Sequence, residues 1–273
     1  LAGAISGAIN NILVAHIEGG EVSGTIDESI RHSITKLAHI HFVSNDDAKR
    51  RLLQLGEIEN SIYVIGSPDI DIIMGKSTLN IEQVKERYGI MFDNYSVLMY
   101  HPVTTEINSL KYNIEQLVDA VFLSNDNFIV ISPNNDSGYN IILEEYKRFD
   151  NYCKIKRFPS IRFEYFIELL KDANYMIGNS SSGIHEAPVL GLPCVNIGTR
   201  QKDRFFHEAI INCGENTNEI LEAIKKAKSA KNLKPTNYFG CGKSSERFIE
   251  IISQHGIWET SRQKSFNNIS FGG

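Results

Sequence analysis

The chain has 273 residues, 42% of them hydrophobic and 22% charged, a balance typical of a soluble globular protein large enough for two domains. Its net charge of −5 argues against a nucleic-acid-binding domain, which usually carries a basic excess. The four cysteines are scattered and form no C-x-x-C pair, which favours a reducing compartment, so we expect a cytoplasmic protein. No apolar run approaches the roughly 18 residues of a membrane helix, so no membrane partner is expected.

Short apolar strands and amphipathic helices alternate along the chain. Strands are predicted over residues 12–15, 40–43, 62–65, 97–99, 128–131, 154–156, 175–177 and 194–197. Helical spacing predicts helices over residues 25–37, 44–56, 81–88, 107–122, 141–146, 163–170, 185–190 and 220–227. This alternation predicts an α/β protein with parallel sheets covered on both faces. The Gly66-Ser67-Pro68 segment interrupts it and is the best candidate for a linker.

Loops of small, polar or ionisable residues follow five of the predicted strands. They lie at residues 16–21, 101–105, 133–138, 178–183 and 198–201. Ligands of open parallel sheets bind at the carboxyl ends of the strands. Five such loops on one edge predict a cleft for a polar ligand, although this pattern does not name the ligand.

The loop at Ser180–Gly183 has the composition of an anion site, because hydroxyls and free N–H groups at a helix start attract negative charge. Glu186, one turn into the predicted helix, could accept hydrogen bonds from a sugar. A plain serine cap with a helix-dipole glutamate explains the same residues equally well. His101 and Arg200 could reach a diphosphate, since the guanidinium group binds phosphate with two hydrogen bonds. Each of them could equally be an ordinary surface residue.

Two carboxylates, Glu18 and Asp27, flank a glycine-containing loop near the first predicted strand. His16 stands two residues before Glu18 and shares its side of an extended segment. Paired carboxylates beside a cleft suit proton removal and donation. Asp27 could simply cap a helix. Glu18 is harder to explain structurally, because a charge directly after a buried strand needs a pairing partner or a functional role.

No metal or redox cofactor is expected. His39 and His41 form an H-x-H pair, but no nearby carboxylate or cysteine completes a metal site, so buried and hydrogen-bonded histidines are the preferred interpretation. The chain has no G-x-x-x-x-G-K-[ST] or G-x-G-x-x-G stretch, which argues against ATP and NAD.

Four of these segments resemble motifs of the hydrolysing UDP-N-acetylglucosamine 2-epimerases of bacterial sialic-acid biosynthesis. The longest is HIEGGEVSGTIDESIRHSITKLAHIHFVSN at residues 16–45, and a run of this length rarely arises by chance. HPVTTE at 101–106, GNSSSGIHE at 178–186 and NIGTRQ at 196–201 are similar to further family motifs. Non-hydrolysing relatives carry a loop like H-V-E-A-G-L-R, so the Gly19–Gly24 version favours the hydrolysing branch.

The resemblance implies a glycosyltransferase-B-type fold of two Rossmann-like domains. Residues 1–66 would be the C-terminal part of the first domain, residues 67–250 the UDP-binding second domain, and residues 251–273 a tail packing back towards the first. It implies that UDP is held by His101, Asn134, Asp136, Phe163, Ser180, Ser181, Glu186 and Arg200. Glu18, Asp27 and His16 would be catalytic, and no cofactor would be required.

The chemistry implied is elimination of UDP from UDP-N-acetylglucosamine followed by hydration, which releases N-acetylmannosamine. A homo-oligomer, dimer or tetramer, is expected. Family members carry roughly 100 further residues before this start, about one small domain. The first domain is therefore expected to be truncated at its N terminus, and the chain alone to bind UDP weakly without turnover.

The chain departs from the family at two loops, where Lys202 and Asp203 precede Arg204 and where Tyr238–Gly242 replaces a Y-G-D-G-type turn. Four other functions stay open. They are a hydrolysing UDP-N,N′-diacetylbacillosamine 2-epimerase, a non-hydrolysing epimerase, a retaining glycosyltransferase on the same fold, and a UDP-binding module without turnover.

Overall fold

The structure is a computed structural model that describes residues 1–23, 26–76, 79–265 and 267–268. Its helices are α1 (Ala2–Ile9), α2 (Ile26–Leu37), α3 (Asp46–Gln54), α4 (Pro68–Met74), α5 (Ile81–Tyr88), α6 (Ile107–Ser124), α7 (Tyr139–Glu145), α8 (Phe163–Asp172), α9 (Glu186–Leu190), α10 (Thr217–Ser229) and α11 (Ser244–Ile252). Its strands are β1 (Ala15–Ile17), β2 (Ile40–Val43), β3 (Ile62–Val64), β4 (Ser96–Met99), β5 (Phe128–Ile131), β6 (Ile155–Phe158), β7 (Met176–Gly178), β8 (Cys194–Ile197) and β9 (Ile210–Cys213). The described residues include no helix long and apolar enough to cross a membrane.

The chain forms two compact units. Unit 1 comprises residues 1–76 and the described residues from 237 onward, and unit 2 comprises residues 77–236. These limits differ from the expected boundaries at residues 66 and 250. One reason is local: Pro68 occupies the first turn of α4, where its missing N–H costs nothing, so the segment predicted as a linker continues into a helix of unit 1.

Unit 1 contains a three-stranded parallel sheet in the order β1-β2-β3, and its register places His16 beside His41. The sequence predicts that the first strand ends at Ala15, whereas β1 begins there. The preceding residues form a turn after α1, because the Ile12 N–H donates to the Gly7 carbonyl at 2.9 Å. His16 therefore lies within β1 rather than in the loop after it.

The core of unit 1 covers both faces of β2. Ile40 and Phe42 pack with Ile257, which lies in the short 3-10 helix after α11. Val43 packs against Leu52 of α3 on the opposite face. The C-terminal segment thus completes one side of this core, and the end of the tail, at residues 266 and 269–273, lies outside the described residues.

Unit 2 is a six-stranded parallel sheet in the order β6-β5-β4-β7-β8-β9. Numbered within the unit, this is the 3-2-1-4-5-6 order of a Rossmann fold. One face is covered by α6 and α10, whose residues Leu117, Val121 and Ile224 belong to one apolar cluster with Leu98 of β4. The strand order reverses between β4 and β7, and this reversal opens a crevice at the carboxyl ends of these two strands.

Besides α4, which continues the predicted linker, three helices and strands escape the sequence pattern. α1 lies in the apolar segment before the first predicted strand, which begins at residue 12, and no element is predicted for it. β9 is an edge strand of unit 2 with only partly buried side chains, so its apolar signal is weak. α11 has a clear apolar face, but it follows the glycine-rich turn at Gly240–Gly242 and lies beyond the last helix that the spacing predicts.

Candidate active site

All eight predicted UDP-binding residues follow strands of the unit 2 sheet at its carboxyl edge. They are His101 after β4, Asn134 and Asp136 after β5, Phe163 after β6, Ser180, Ser181 and Glu186 after β7, and Arg200 after β8. The expectation that five polar loops share one edge is wrong for the loop at residues 16–21. That loop follows β1 and belongs to the separate sheet of unit 1.

Asn179 ties three of these loops together, and the sequence analysis missed it. Its side-chain oxygen accepts from the His101 N–H at 2.7 Å, and its amide donates to the His101 carbonyl at 2.9 Å. Its own carbonyl accepts from the Arg200 guanidinium and from the Gln201 amide, each at 3.1 Å. A buried amide directly after a central strand is the signal that could have revealed it.

The close approach of β7 to β4 requires glycine at position 178. Gly178 has φ +135°, and a Cβ there would lie 2.0 Å from the Met99 carbonyl oxygen. No L-residue side chain fits so near a backbone atom. The glycine before Asn179 therefore allows the two central loops to meet.

His101 is a neutral hydrogen-bond donor at this edge. Burial and the nearby Arg200 charge lower its pKa to about 4. Its Nδ1 accepts from the Asn134 N–H at 3.0 Å, which assigns the ring proton to Nε2. A neutral Nε2–H beside the cationic Arg200 suits a phosphate oxygen, because both groups donate.

The loop after β7 is more compact than the predicted helix start. Ser181–Gly183 forms a short 3-10 turn, with the Ser180 hydroxyl accepting from the Ser182 N–H at 3.3 Å. The following helix, α9, begins at Glu186, one residue after the predicted start at residue 185. Glu186 is buried at its first position, so this carboxyl faces the interior of the loop cluster rather than open solvent.

Arg204 is a second residue missed by the sequence analysis. Its guanidinium donates to the Gln201 side-chain oxygen at 2.5 Å and to His185 Nε2 at 3.1 Å. It thereby joins the loop after β8 to the loop after β7.

The remaining predicted residues lie on the β5 and β6 side of the sheet. The Asn134 amide donates to the Asp136 carboxylate at 2.6 Å, and the centroid of the Phe163 ring lies 6.4 Å from that of Phe166.

Glu18 is the most unusual residue of unit 1. It follows β1 directly with φ +60°, a left-handed conformation that is uncommon for a non-glycine residue and costs energy. Its carboxylate accepts from the Ser67 hydroxyl at 2.5 Å. Burial, with smaller contributions from the carboxylates of Asp69 and Glu21, raises the pKa of Glu18. A raised pKa brings a carboxyl group nearer to the range in which it can exchange protons at neutral pH.

His16 presents an unprotonated nitrogen. Burial and neighbouring positive groups lower its pKa to about 4. The Thr35 hydroxyl lies 3.3 Å from His16 Nδ1 and donates its own proton to the Arg31 carbonyl at 3.2 Å. The hydroxyl must then accept from Nδ1–H, which leaves Nε2 as an acceptor.

The glycine loop after Glu18 is held by side chains that the sequence analysis did not single out. The buried Glu21 carboxylate accepts from the Ser44 hydroxyl and from the Asn45 amide. Arg31 donates to the Glu21 carbonyl at 3.1 Å, and Arg51 donates to the Gly20 carbonyl at the same distance. These bonds keep the loop close to α2 and α3.

Asp27 lies in the first turn of α2, where its side chain is exposed. A carboxylate at this position also stabilises the helix dipole. His39 and His41 are both buried, and their ring nitrogens contact the Arg262 carbonyl and Glu57, respectively. Within the described part of the chain, no three His, Cys, Asp or Glu side chains could hold a metal ion together.

Known proteins share this organisation. The family model for UDP-N-acetylglucosamine 2-epimerase matches residues 1–253. A UDP-N-acetylglucosamine 2-epimerase of Neisseria meningitidis is 46% identical over 99% of this chain and 72% of its own length. A UDP-N,N′-diacetylbacillosamine 2-epimerase (hydrolyzing) of Legionella pneumophila is 36% identical over 92% of this chain and 67% of its own.

A solved structure agrees with these relatives. The crystal structure of the Methanocaldococcus jannaschii UDP-GlcNAc 2-epimerase with UDP-GlcNAc and UDP superposes with a TM-score of 0.74 at 26% identity, covering 93% of this chain and 72% of that one. The predicted fold class, α/β with parallel sheets of the glycosyltransferase-B type, is confirmed. The chain belongs to the UDP-N-acetylglucosamine 2-epimerase family.

Proposed function

We propose that the protein is a hydrolysing UDP-N-acetylglucosamine 2-epimerase that makes N-acetylmannosamine and UDP. The observation that carries this proposal is Glu18, a strained carboxyl group with a raised pKa beside the Gly19-Gly20 loop. Strained residues that the surroundings hold in place cluster at active sites. A binding module would gain nothing from keeping such a residue.

The proposed reaction has two balanced steps. A base removes the proton at C2 of the sugar while the C1–O bond breaks, and the electron pair of the C–H bond forms the C1–C2 double bond as UDP leaves. Water then adds across that double bond, with hydroxyl joining C1 and a proton joining C2 on the opposite face. No electrons leave or enter, so the reaction needs no redox cofactor.

Unit 1 supplies the proposed proton-transfer groups. Glu18 and Asp27 serve as base and acid, since two proton transfers at C2 require two positioned groups. His16 serves beside them with its unprotonated Nε2 as a hydrogen-bond acceptor. Its low pKa keeps it neutral at pH 7, so it adds no positive charge next to Glu18.

Unit 2 supplies the proposed UDP site. Arg200 and the His101 Nε2–H donate to the diphosphate, and the backbone of Ser180 and Ser181 adds further donors. Glu186 accepts hydrogen bonds from a sugar hydroxyl. Asn134, Asp136 and Phe163 complete the site on the β5 and β6 side of the crevice, with the Phe163 ring available for stacking on uracil.

The identity of the sugar has two candidates. The Neisseria meningitidis relative is named for UDP-N-acetylglucosamine, and its identity to this chain is higher than that of the Legionella pneumophila relative named for UDP-N,N′-diacetylbacillosamine. We therefore place UDP-N-acetylglucosamine first. The ratio of kcat/KM for the two sugars measures this preference directly.

The test is a product analysis of the purified protein with UDP-N-acetylglucosamine, run in D₂O and separately in H₂¹⁸O. The expected products are free N-acetylmannosamine with deuterium at C2, and UDP without ¹⁸O because the C1–O bond is the one that breaks. UDP-N-acetylmannosamine as product would instead assign the non-hydrolysing subclass. Sugar transfer to an added acceptor would assign a glycosyltransferase, and UDP binding without turnover would assign a binding module.

A further inference from the structure

In unit 1, charged groups surround the buried carboxylate of Glu57, and the cluster includes His41, the strand neighbour of His16. The Glu57 carboxylate, only 2% exposed, contacts Lys264 at 2.5 Å, Lys36 at 2.7 Å and His41 Nε2 at 3.1 Å. Burial alone would raise the pKa of Glu57, but its hydrogen bonds to His41, Lys264 and Lys36 lower it to about 2. The carboxylate is therefore ionised, and it accepts a hydrogen bond from the Nε2–H group of His41.

Lys264 reaches this cluster from the far end of the chain. Besides Glu57, its ammonium group donates to the Thr35 carbonyl at 2.8 Å and to the Ala38 carbonyl. Both carbonyls lie at the C-terminal end of α2, where free carbonyl groups favour a cation. The His39 ring also contacts the Arg262 carbonyl at 3.1 Å. We call residues 262–264 the C-terminal strap.

Two routes connect this strap to His16. Lys264 binds the carbonyl of Thr35, and the hydroxyl of Thr35 contacts His16 Nδ1. Lys264 also binds Glu57, which contacts His41, and His41 is the register partner of His16 in the neighbouring strand. Paired residues of adjacent strands lie about 5 Å apart on the same face of a sheet.

The His41 ring depends on Glu57 for its orientation. Its Nδ1 is buried and has no hydrogen-bond partner among the described residues, so the contact with Glu57 is its anchor. A buried ion pair contributes little to stability compared with apolar packing, but it fixes the geometry of the groups it joins. The cluster is therefore suited to positioning.

We propose that Lys264 is a positioning residue for His16. By holding Thr35 and the Glu57–His41 pair in place, Lys264 keeps Nε2 of His16 as the hydrogen-bond acceptor. This inference rests on the proposed function of His16 and Glu18. Lys264 itself does not touch the reacting atoms. It acts through Thr35, which is in direct contact with His16.

The test compares Lys264→Met with Lys36→Met in the purified protein. Lys36 is the matched control, because it also pairs with Glu57 but donates to the Leu55 carbonyl instead of Thr35. Lys264→Met is expected to lower kcat about tenfold or more with little change in KM, since small displacements of catalytic groups slow the chemical step. Lys36→Met is expected to have a clearly smaller effect, and Lys264→Arg should restore part of the loss.

A second readout does not depend on turnover. Histidine ¹⁵N spectra report which ring nitrogen carries the proton, and the His16 signal can be assigned by its absence from a His16→Gln variant. In the wild type, His16 is expected to be protonated at Nδ1 only, and Lys264→Met should shift it towards a mixture of the two forms. If Lys264→Met does not fold, Lys264→Gln takes its place in this measurement, and the isosteric Thr35→Val variant tests separately whether the hydroxyl beside His16 sets the protonated nitrogen.

Several results would overturn the inference. They are a folded Lys264→Met protein with kcat within about twofold of wild type, an equal loss in Lys36→Met, or an unchanged His16 signal in Lys264→Met or Thr35→Val. An inactive wild type would refute the proposed function instead, and the His16 spectrum would still decide whether the strap controls this ring.

Discussion

The two units build their polar sites in different ways. In unit 2 the loops meet through amides and guanidinium groups, with the Asn179 amide and carbonyl joined to His101, Gln201 and Arg200. In unit 1 the groups around β1 are ionisable, and Glu18 is surrounded by Ser67 and further carboxylates. Amide networks keep one geometry over a wide pH range, whereas carboxyl groups can change their protonation state. This contrast fits a unit that holds a ligand and a unit that moves protons.

Two individual positions accommodate unusual backbone in different ways, although non-glycine residues with positive φ occur in both units. Unit 2 uses Gly178 where β7 approaches β4, and glycine adopts this conformation at little cost. Unit 1 keeps Glu18 in the left-handed region, at a cost of about 1–3 kcal/mol. Such strain at an ionisable side chain agrees with the catalytic role proposed for Glu18.

The largest expected effect concerns Glu18. Glu18→Gln should lower kcat by at least about a hundredfold, because the amide cannot exchange a proton. Asp27→Asn should act in the same direction. UDP affinity, measured by calorimetry, should stay near the wild-type value, since the proposed UDP site consists of unit 2 residues.

The control for this prediction is Glu59→Gln, which changes an exposed glutamate of the same unit that pairs with Lys49. It should leave kcat unchanged. Near-normal turnover in Glu18→Gln would remove Glu18 from the mechanism and with it the contrast between the units.

The next effect concerns the amide network of unit 2. Asn179→Ala leaves the buried His101 N–H and carbonyl without their partners and should lower the free energy of unfolding by about 2 kcal/mol. It should also weaken UDP binding, because His101 and the loops after β7 and β8 lose their common anchor. Urea unfolding followed by circular dichroism measures the first effect, and calorimetry measures the second.

Asn127→Ala is the matched control, since it removes one exposed hydrogen bond to the Asn94 carbonyl at the opposite end of β5. A change of less than about 0.5 kcal/mol is expected there. Equal losses in the two variants would show that Asn179 has no special role.

The most gradual effect, spread over about two pH units, is a pH dependence shared by both units. His16 and His101 have folded-state pKa values of about 4, below the ordinary 6.5, so the unfolded chain binds protons first as the pH falls. Their contribution to stability is therefore complete above pH 6.5 and is lost as the pH falls from 6.5 towards 4. The slope should reach about 1 kcal/mol per pH unit for each histidine.

Urea unfolding at pH 7, 6 and 5 tests this slope. The single tryptophan, Trp258, lies in unit 1, so its fluorescence should follow the unfolding of that unit in the His16→Asn variant. Circular dichroism should follow unfolding in the His101→Asn variant. Each variant should flatten the pH dependence of its own unit. Slopes identical to wild type would contradict the neutral state assigned to these rings.

Much of the local structure follows from the sequence alone. Periodicity predicts β2, β5, β8 and α5 with the bounds they have in the structure, because each has apolar residues at the spacing of its element and polar, proline or glycine residues at its ends. The polar loops after β4, β5, β7 and β8 were also predictable, and the motif at residues 16–45 by itself indicates the family. Composition and spacing suffice for these features, since they depend on neighbours in the chain.

The tertiary structure alone decided which of these residues meet. Asn179 joins His101 across 78 positions of the sequence, and Lys264 reaches Thr35 across 229. The return of the chain to unit 1 at residue 237 and the separate sheet carrying Glu18 are likewise invisible to local patterns. Hydrophobic periodicity specifies which face of an element is buried, but hydrogen bonds between distant loops depend on strand order and register, and these arise only when the elements pack together.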